Sequence, residues 1–403
     1  MAVQKYPGRV LSKTPPTITP PVDGEGGSAP GVWTLSEALE NEKAGTWPKP
    51  VLPRELYGWG RATYGRIGLD GGGNILSPTQ VGSFLNWSQV STGKFNGNAV
   101  KTDGTIWAWG YGYRGVNGLN NTTTFTTPQQ IGSLSNWSAT SLTLRSTLAI
   151  KTDGTLWSWG DNGYGQLGNL TTVLYSSPIQ IGASTDWYAV RAIFQSSAAI
   201  KTDGTLWTWG SGTSGELANN STISRSSPVQ VGVLTNWEKI KGHQTSFAAI
   251  KTDGTLWTWG AGNGGKLGID SITERSSPVQ VGALTGWSEV TQGNSHTLAV
   301  KTDGTLWSWG SNSSGALGFN TIVDCSSPVQ VGALTNWEKV AAGDIHSTAI
   351  KTDGTLWAWG NNGYGRLGDG TSINRSSPVQ IGALANWNQS SGGYQQTMAI
   401  TKG

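Results

Sequence analysis

The chain has 403 residues, of which only 13% are charged, and its net charge is +3. That balance excludes the strong basic field of a nucleic-acid-binding surface. The single cysteine, Cys325, excludes an internal disulfide framework, and no apolar run reaches membrane-spanning length, so membrane insertion is not expected.

Residues 1–50 come first and differ in kind from the rest. They lack the apolar core of a signal peptide, so Sec-type export is not expected. The stretch TPPTITPPVDGEGGSAPG (Thr14 to Gly31) is too rich in Pro and Gly to form a core and predicts extended backbone. VWTLSEALENEKAGTWPKP follows. Thr34 and Glu37 have the spacing of a capping box, Leu35, Ala38 and Leu39 share one face, and Gly45 is a stop. A short helix is therefore expected over about 35–44. A helix of this size is not stable alone. The segment reads as an anchoring arm with Trp33, Leu35, Leu39 and Trp47 as its contacts, docked either on its own chain or on another subunit.

From Val51 to Ile400 the sequence repeats every 50 residues without insertion, seven times. A period of this length marks a solenoid or a propeller. The copy starting at Trp337 shows four strand-like runs: a (WEKVAA), b (HSTAIK), c (TLWAWG) and d (SPVQIG). Thr352-Asp353-Gly354 joins b to c, and Asp-Gly between apolar runs is a strong hairpin signal. In strand c, Trp357 and Trp359 share one face and Leu356 and Ala358 the other, so the strand is buried on both sides. Pro378 cannot donate to a ladder, which places d at the edge. Four antiparallel strands per unit with d outermost make a propeller blade. The fold class is all-β, a seven-bladed β-propeller over 51–403.

KTDGT occurs at Lys101, Lys151, Lys201, Lys251, Lys301 and Lys351, but is missing from the copy beginning at Val51, which reads VLPRELYGWG. Counting strands explains the gap. Six blades run a-b-c-d without interruption. One blade is split: c and d come from Leu56 to Gly82, a and b from Trp387 to Gly403. An open ring would leave unpaired strand edges, so this blade must close it, with Tyr57, Trp59, Trp387, Met398 and Ile400 at the closure. Both chain ends then lie on the face of the b–c turns and d–a connections.

That face is nearly uniform from copy to copy, whereas the a–b turns and c–d loops vary. Loops on a rigid scaffold carry recognition. The candidate binding residues are Tyr64, Arg66, Tyr113, Arg114, Tyr164, Glu216, Lys266, Tyr364 and Arg366. A scan for chemistry yields no enzyme and no cofactor. His243, His296 and His346 do not have the spacing of a metal site. The repeated Asp of KTDGT is explained by turn formation. The repeated Trp residues are explained by core packing rather than sugar stacking. Cys325 stands where sister copies have Arg225, Arg275 and Arg375 and reads as drift.

The pattern Gly343, His346, Ala349, Asp353, Gly354, Trp359, Gly360, Asn362, Gly365, Leu367, Gly368 resembles the regulator of chromosome condensation repeat. The resemblance covers all seven copies and implies a seven-bladed propeller. It also brings nucleotide exchange on a small GTPase into view, which in that family uses a wedge inserted in a blade and specific acidic and His residues. Here no copy has room for a wedge, and the consensus His survives only as His296 and His346, so exchange is not expected. SAPGVWTLSEALENEKAGTWPKP is similar to segments of structural proteins from marine tailed phages, cyanophages among them. This implies a virion component of the tail, neck or capsid surface, assembled in the host cytoplasm. Its arm would bind other virion proteins, and its variable face a host-surface glycan or protein. The alternative is a cytoplasmic adaptor or exchange factor.

Overall fold

The computed structural model describes Glu40 and residues 53–403. Glu40 is helical and exposed, within the expected 35–44 helix. The remainder of that helix and Trp33, Leu35, Leu39 and Trp47 lie outside the described residues. Arg54–Lys402 form one compact unit.

The repeat folds as its hydrophobic pattern dictates. Seven four-stranded antiparallel sheets follow one another, each in the order a-b-c-d. Strand b is buried along most of its length, as in Ser146–Lys151, and strand c is buried at four of its five residues, as in Leu156–Gly160. Strand d is only partly buried, as in Arg225–Gln230, in keeping with an outer edge carrying proline. Strand a lines a central channel, since residues from all seven a strands surround one cavity.

Adjacent blades are joined by a device that recurs at every interface. Trp59, Trp109, Trp159, Trp209, Trp259, Trp309 and Trp359 are each fully buried. Each indole donates to a carbonyl in the c–d loop of the preceding blade: Arg366, Arg66, Val116, Gln166, Glu216, Lys266 and Ala316 respectively, at 2.8–3.2 Å. At six of the seven interfaces a glycine two residues past the acceptor makes room for the ring; past Glu216 the position is Ala218, also at positive φ. At Gly368, φ is +82° and an added Cβ would lie 2.7 Å from the Trp59 Nε1. The inner strands are also linked. Ser91, Ser141 and Ser391 hydroxyls accept the amides of Leu142, Ala192 and Thr92 on the next blade. Backbone groups that an inner edge strand would leave unpaired are thereby satisfied.

The KTDGT turn supports the same joints. In the copy at Lys101, the Asp103 carboxylate accepts the Thr105 amide and hydroxyl at 2.9 and 2.6 Å, and that hydroxyl accepts the Trp107 indole at 2.9 Å. The Gly104 carbonyl accepts the amide of Trp137, the first residue of the next blade. The uniform face is uniform because each turn also seats its neighbour.

The split blade reproduces this arrangement from two chain segments. Its strand order is Asn74–Gln80, Leu56–Arg61, Gln396–Thr401, Trp387–Gly392. Leu56 pairs with Ile400 and Trp59 with Thr397. Arg54 takes the part of Gly104, its carbonyl accepting the Trp87 amide. Glu55 takes the part of Thr105, its carboxylate accepting the Tyr57 hydroxyl at 2.8 Å. Burial, and then this bond, push the Tyr57 hydroxyl up to about 12. Tyr57 and Trp59 both pack edge-on against Trp387, and Met398 and Ile400 are fully buried.

Candidate functional site

The a–b turns and c–d loops share one end of the channel, and side chains there meet across blade boundaries. The structure divides the nine candidate loop residues into four buried, three exposed and two half-buried, the last being Arg114 and Tyr364. Arg66, Glu216, Lys266 and Arg366 are buried, at 1–3% exposure. Their carbonyls are the latch acceptors, which draws this position between two blades. The long cationic side chains then run beneath the next a–b turn. Arg66, Lys266 and Arg366 donate to the carbonyls of Lys94, Asn294 and Tyr394 at 3.4, 3.1 and 2.9 Å. Burial, followed by repulsion from Arg61, lowers the Arg66 guanidinium to about 10. Burial also raises the Glu216 carboxyl, which accepts the Ser214 amide. These four are ring-joining residues, not presented to solvent as their charge suggests.

Tyr64, Tyr113 and Tyr164 are exposed, at 50%, 45% and 42%. Tyr64 and Tyr113 belong to a continuous aromatic patch, whereas Tyr164 has no aromatic neighbour among the described residues. Tyr64 lies 5.1 Å from Tyr111 and 5.9 Å from Phe95, Tyr111 stacks on Tyr113 at 5.8 Å, and Phe95 meets Tyr394 at 6.4 Å. Cations lie over the rings. Lys94 Nζ is 4.5 Å from Tyr394, and the guanidinium carbons of Arg61 and Arg366 are 5.0 and 5.5 Å from Tyr364. Arg114 covers Tyr113 at 5.3 Å and pairs with Asp161 at 2.9 Å.

The patch is confined to the split blade and the blade after it. On the far side of the ring, the Tyr64 column reads Ser214, Gly264 and Ser314, and the Tyr113 column reads Thr213, Asn263 and Ser313. Sequence reasoning missed Arg61, Lys94, Phe95, Tyr111 and Tyr394. Comparing the copies column by column would have found Arg61, Phe95, Tyr111 and Tyr394, each bulkier than most residues at its position in the sister copies; Lys94 shares its column with Leu144, Phe194 and Tyr394 and gives no such signal. Aromatic and arginine side chains at low conformational cost are the usual anchors of recognition surfaces.

The other polar features are internal. The Thr155 hydroxyl and amide hold the Asp153 carboxyl below its usual range. It is a turn-forming carboxylate kept ionised, not one poised for proton transfer. His296 and His346 are buried and meet Ser347 and Thr397 of the next blade at 3.0 and 2.8 Å. Among the described residues no group of three His, Cys, Asp or Glu side chains is placed to hold a metal ion. Burial lowers His296 from 6.5 to about 4. The unfolded chain binds this proton first, so stability should decline as pH falls from about 6.5 to about 4, by roughly 3 kcal/mol at most. Urea midpoints measured across that window should fall less in His296→Ser, which installs the residue of three sister copies. An unchanged slope would refute the assignment.

The family profile described as Regulator of chromosome condensation (RCC1) repeat matches residues 55–96, 153–193, 203–250, 253–300, 303–350 and 353–400. Residues 97–152 fall outside these matches. There the buried Asn117 stands where other copies have Ile67 or Leu167. No curated protein sequence is significantly similar to the chain. Among solved structures, human WBSCR16 is similar at 17% identity and a TM-score of 0.77, over 87% of this chain and 99% of its own. Prp20p from Saccharomyces cerevisiae is similar at 18% identity and a TM-score of 0.77, over 87% of this chain and 92% of its own. Yeast RCC1 (Prp20) bound to Kap60 is similar at 17% identity and a TM-score of 0.76, with 87% and 89% covered. At such identities the likeness is one of fold.

Proposed function

The chain belongs to the regulator of chromosome condensation repeat family, and on that premise we propose that it is a binding protein without catalytic machinery. Its partner is a macromolecule held on the a–b/c–d face. The observation that carries this reading is the one-sided patch of Tyr64, Phe95, Tyr111, Tyr113 and Tyr394 with its overlying cations. A chain that otherwise repeats itself departs from the repeat there, at an accessible surface. A protein is the favoured partner, because Prp20p was described with its binding to Gsp1p and histones and, in another structure, bound to Kap60.

Affinity capture from the source cells should recover a partner that Tyr64→Ala and Tyr113→Ala each weaken about tenfold or more. Leu334→Ala, an exposed change on the opposite, uniform face, should leave it unaffected. Equal recovery by all three variants would refute the placement. The same proteins, assayed for acceleration of nucleotide release from small GTPases, distinguish an adaptor from an exchange factor. The uniform 50-residue copies, with no inserted wedge, favour the adaptor.

A second reading rests on the arm alone, on the resemblance noted above between its sequence and segments of tailed-phage structural proteins. In it the chain is a virion component of the tail, neck or capsid surface. Trp33, Leu35, Leu39 and Trp47 anchor it to other virion proteins, and the patch faces a host-surface glycan or protein. Co-purification with capsid or tail subunits supports this reading; its absence from purified particles excludes it.

A further inference from the structure

The seven inner strands enclose a cavity of about 330 Å³. One residue from each blade, at the same strand position, lines it in a ring: Ser91, Ser141, Arg191, Lys241, Thr291, Ala341 and Ser391. Five are small. The two exceptions are long cations, and they stand on adjacent blades. Where Ser141 bonds the next strand through its hydroxyl, Arg191 uses only its Nε, which donates to the Gly242 carbonyl at 2.8 Å. Its remaining guanidinium nitrogens have no acceptor among the described residues. Lys241 forms no ion pair among the described residues either; Glu289, an acidic neighbour, is held by Lys239 at 2.7 Å. Toward the open end the lining adds Lys94 and Arg145, the latter 3.6 Å from Asp161, and a single carboxylate, Asp344.

We propose that this cavity is a binding site for a small, multiply charged oxyanion, with Arg191 and Lys241 as its principal contacts. Two like charges in an enclosed space lack compensation, and a cluster of anionic oxygens between them supplies it. Consistent with that strain, burial lowers Arg191 to about 10, and burial followed by repulsion from Arg191 lowers Lys241. The volume suits a ligand of phosphate, pyrophosphate or tricarboxylate size. The hydroxyls of Ser91, Ser141, Thr291 and Ser391 each accept a backbone amide of the next blade and keep a proton to donate, so they supplement the charge of Arg191 and Lys241, which is the main basis of selection. The inference does not rest on the macromolecular partner proposed above, although Lys94 and Tyr394 belong to both the cavity lining and the patch.

Isothermal titration of the full chain with pyrophosphate, at ionic strength matched with sodium chloride, tests the proposal. One-site binding is expected. Arg191→Ser and Lys241→Ser should each weaken it about tenfold or more, and together abolish it. Serine already occupies this ring position in three blades, so both variants should keep the fold, as circular dichroism and urea midpoints will verify. Arg225→Ser, an exposed change on an outermost strand, should bind as the parent does. Binding no stronger than the salt-matched control, or equal affinity in the serine variants, overturns the proposal.

Discussion

Trp59→Ala is expected to lower stability by about 3–5 kcal/mol, the range for deleting a fully buried large aromatic. Trp59 belongs to the N-terminal side of the seam. It packs with Ile350, Leu356, Leu367 and Ile381 of the last intact blade and with Trp387 and Ala399 of the C-terminal strands. Three separate parts of the chain therefore meet on one indole. Its loss also strips the Arg366 carbonyl of its donor at 2.9 Å, a further cost of about 1 kcal/mol. Trp157, on the same strand face as Trp159 but only half-buried, should cost clearly less when changed to alanine. Urea midpoints of the two variants give the comparison. A Trp59→Ala cost below that of Trp157→Ala would refute the seam as a major joint.

Deleting residues 396–403 should abolish the folded monomer. Gln396–Thr401 is the second strand of the split blade, paired with Leu56–Arg61 on one side and Trp387–Gly392 on the other. Removing it separates two strands that have no other partner between them and uncovers Trp59 and Trp387. The exposed edges then favour association between chains. Size-exclusion chromatography and near-ultraviolet circular dichroism should show aggregated, loosely packed protein. The converse change should be tolerated. Linking Ile400 to Leu56 through KTDGT, whose Lys replaces Thr401, and opening the chain at another b–c turn, exchanges one seam for an equivalent one and should keep the urea midpoint. A soluble, cooperatively folding deletion variant would show that closure does not depend on this strand.

The blade, the hairpin and the position of the seam were legible in the sequence because each depends on local pattern. Asp-Gly turns, period-two strands and one missing KTDGT are visible along the chain. The fate of the c–d loops was only half legible. Tyr64 and Tyr113 read as surface residues and are. Arg66, Lys266 and Arg366 read as surface residues because they are charged and surrounded by glycine. Yet the glycines are there to admit the neighbour's tryptophan, and the charge finds backbone carbonyls across the blade boundary. The aromatic patch was hidden for a related reason. Phe95, Tyr111 and Tyr394 lie in different copies, and only ring closure brings Tyr394 beside Phe95.

The pairing of Leu56 with Ile400 also has a mechanical meaning. The first strand of the compact unit starts next to where its last strand stops, so both ends of that unit emerge side by side. Traction that separates those ends would load the ladder one bond at a time, from Leu56–Ile400 inward to Gly60–Gln396. Traction on one end against the aromatic patch instead spreads across several strands and the tryptophan joints. The same ring is thus weak to a force that parts its ends and strong to a force between one end and its binding face.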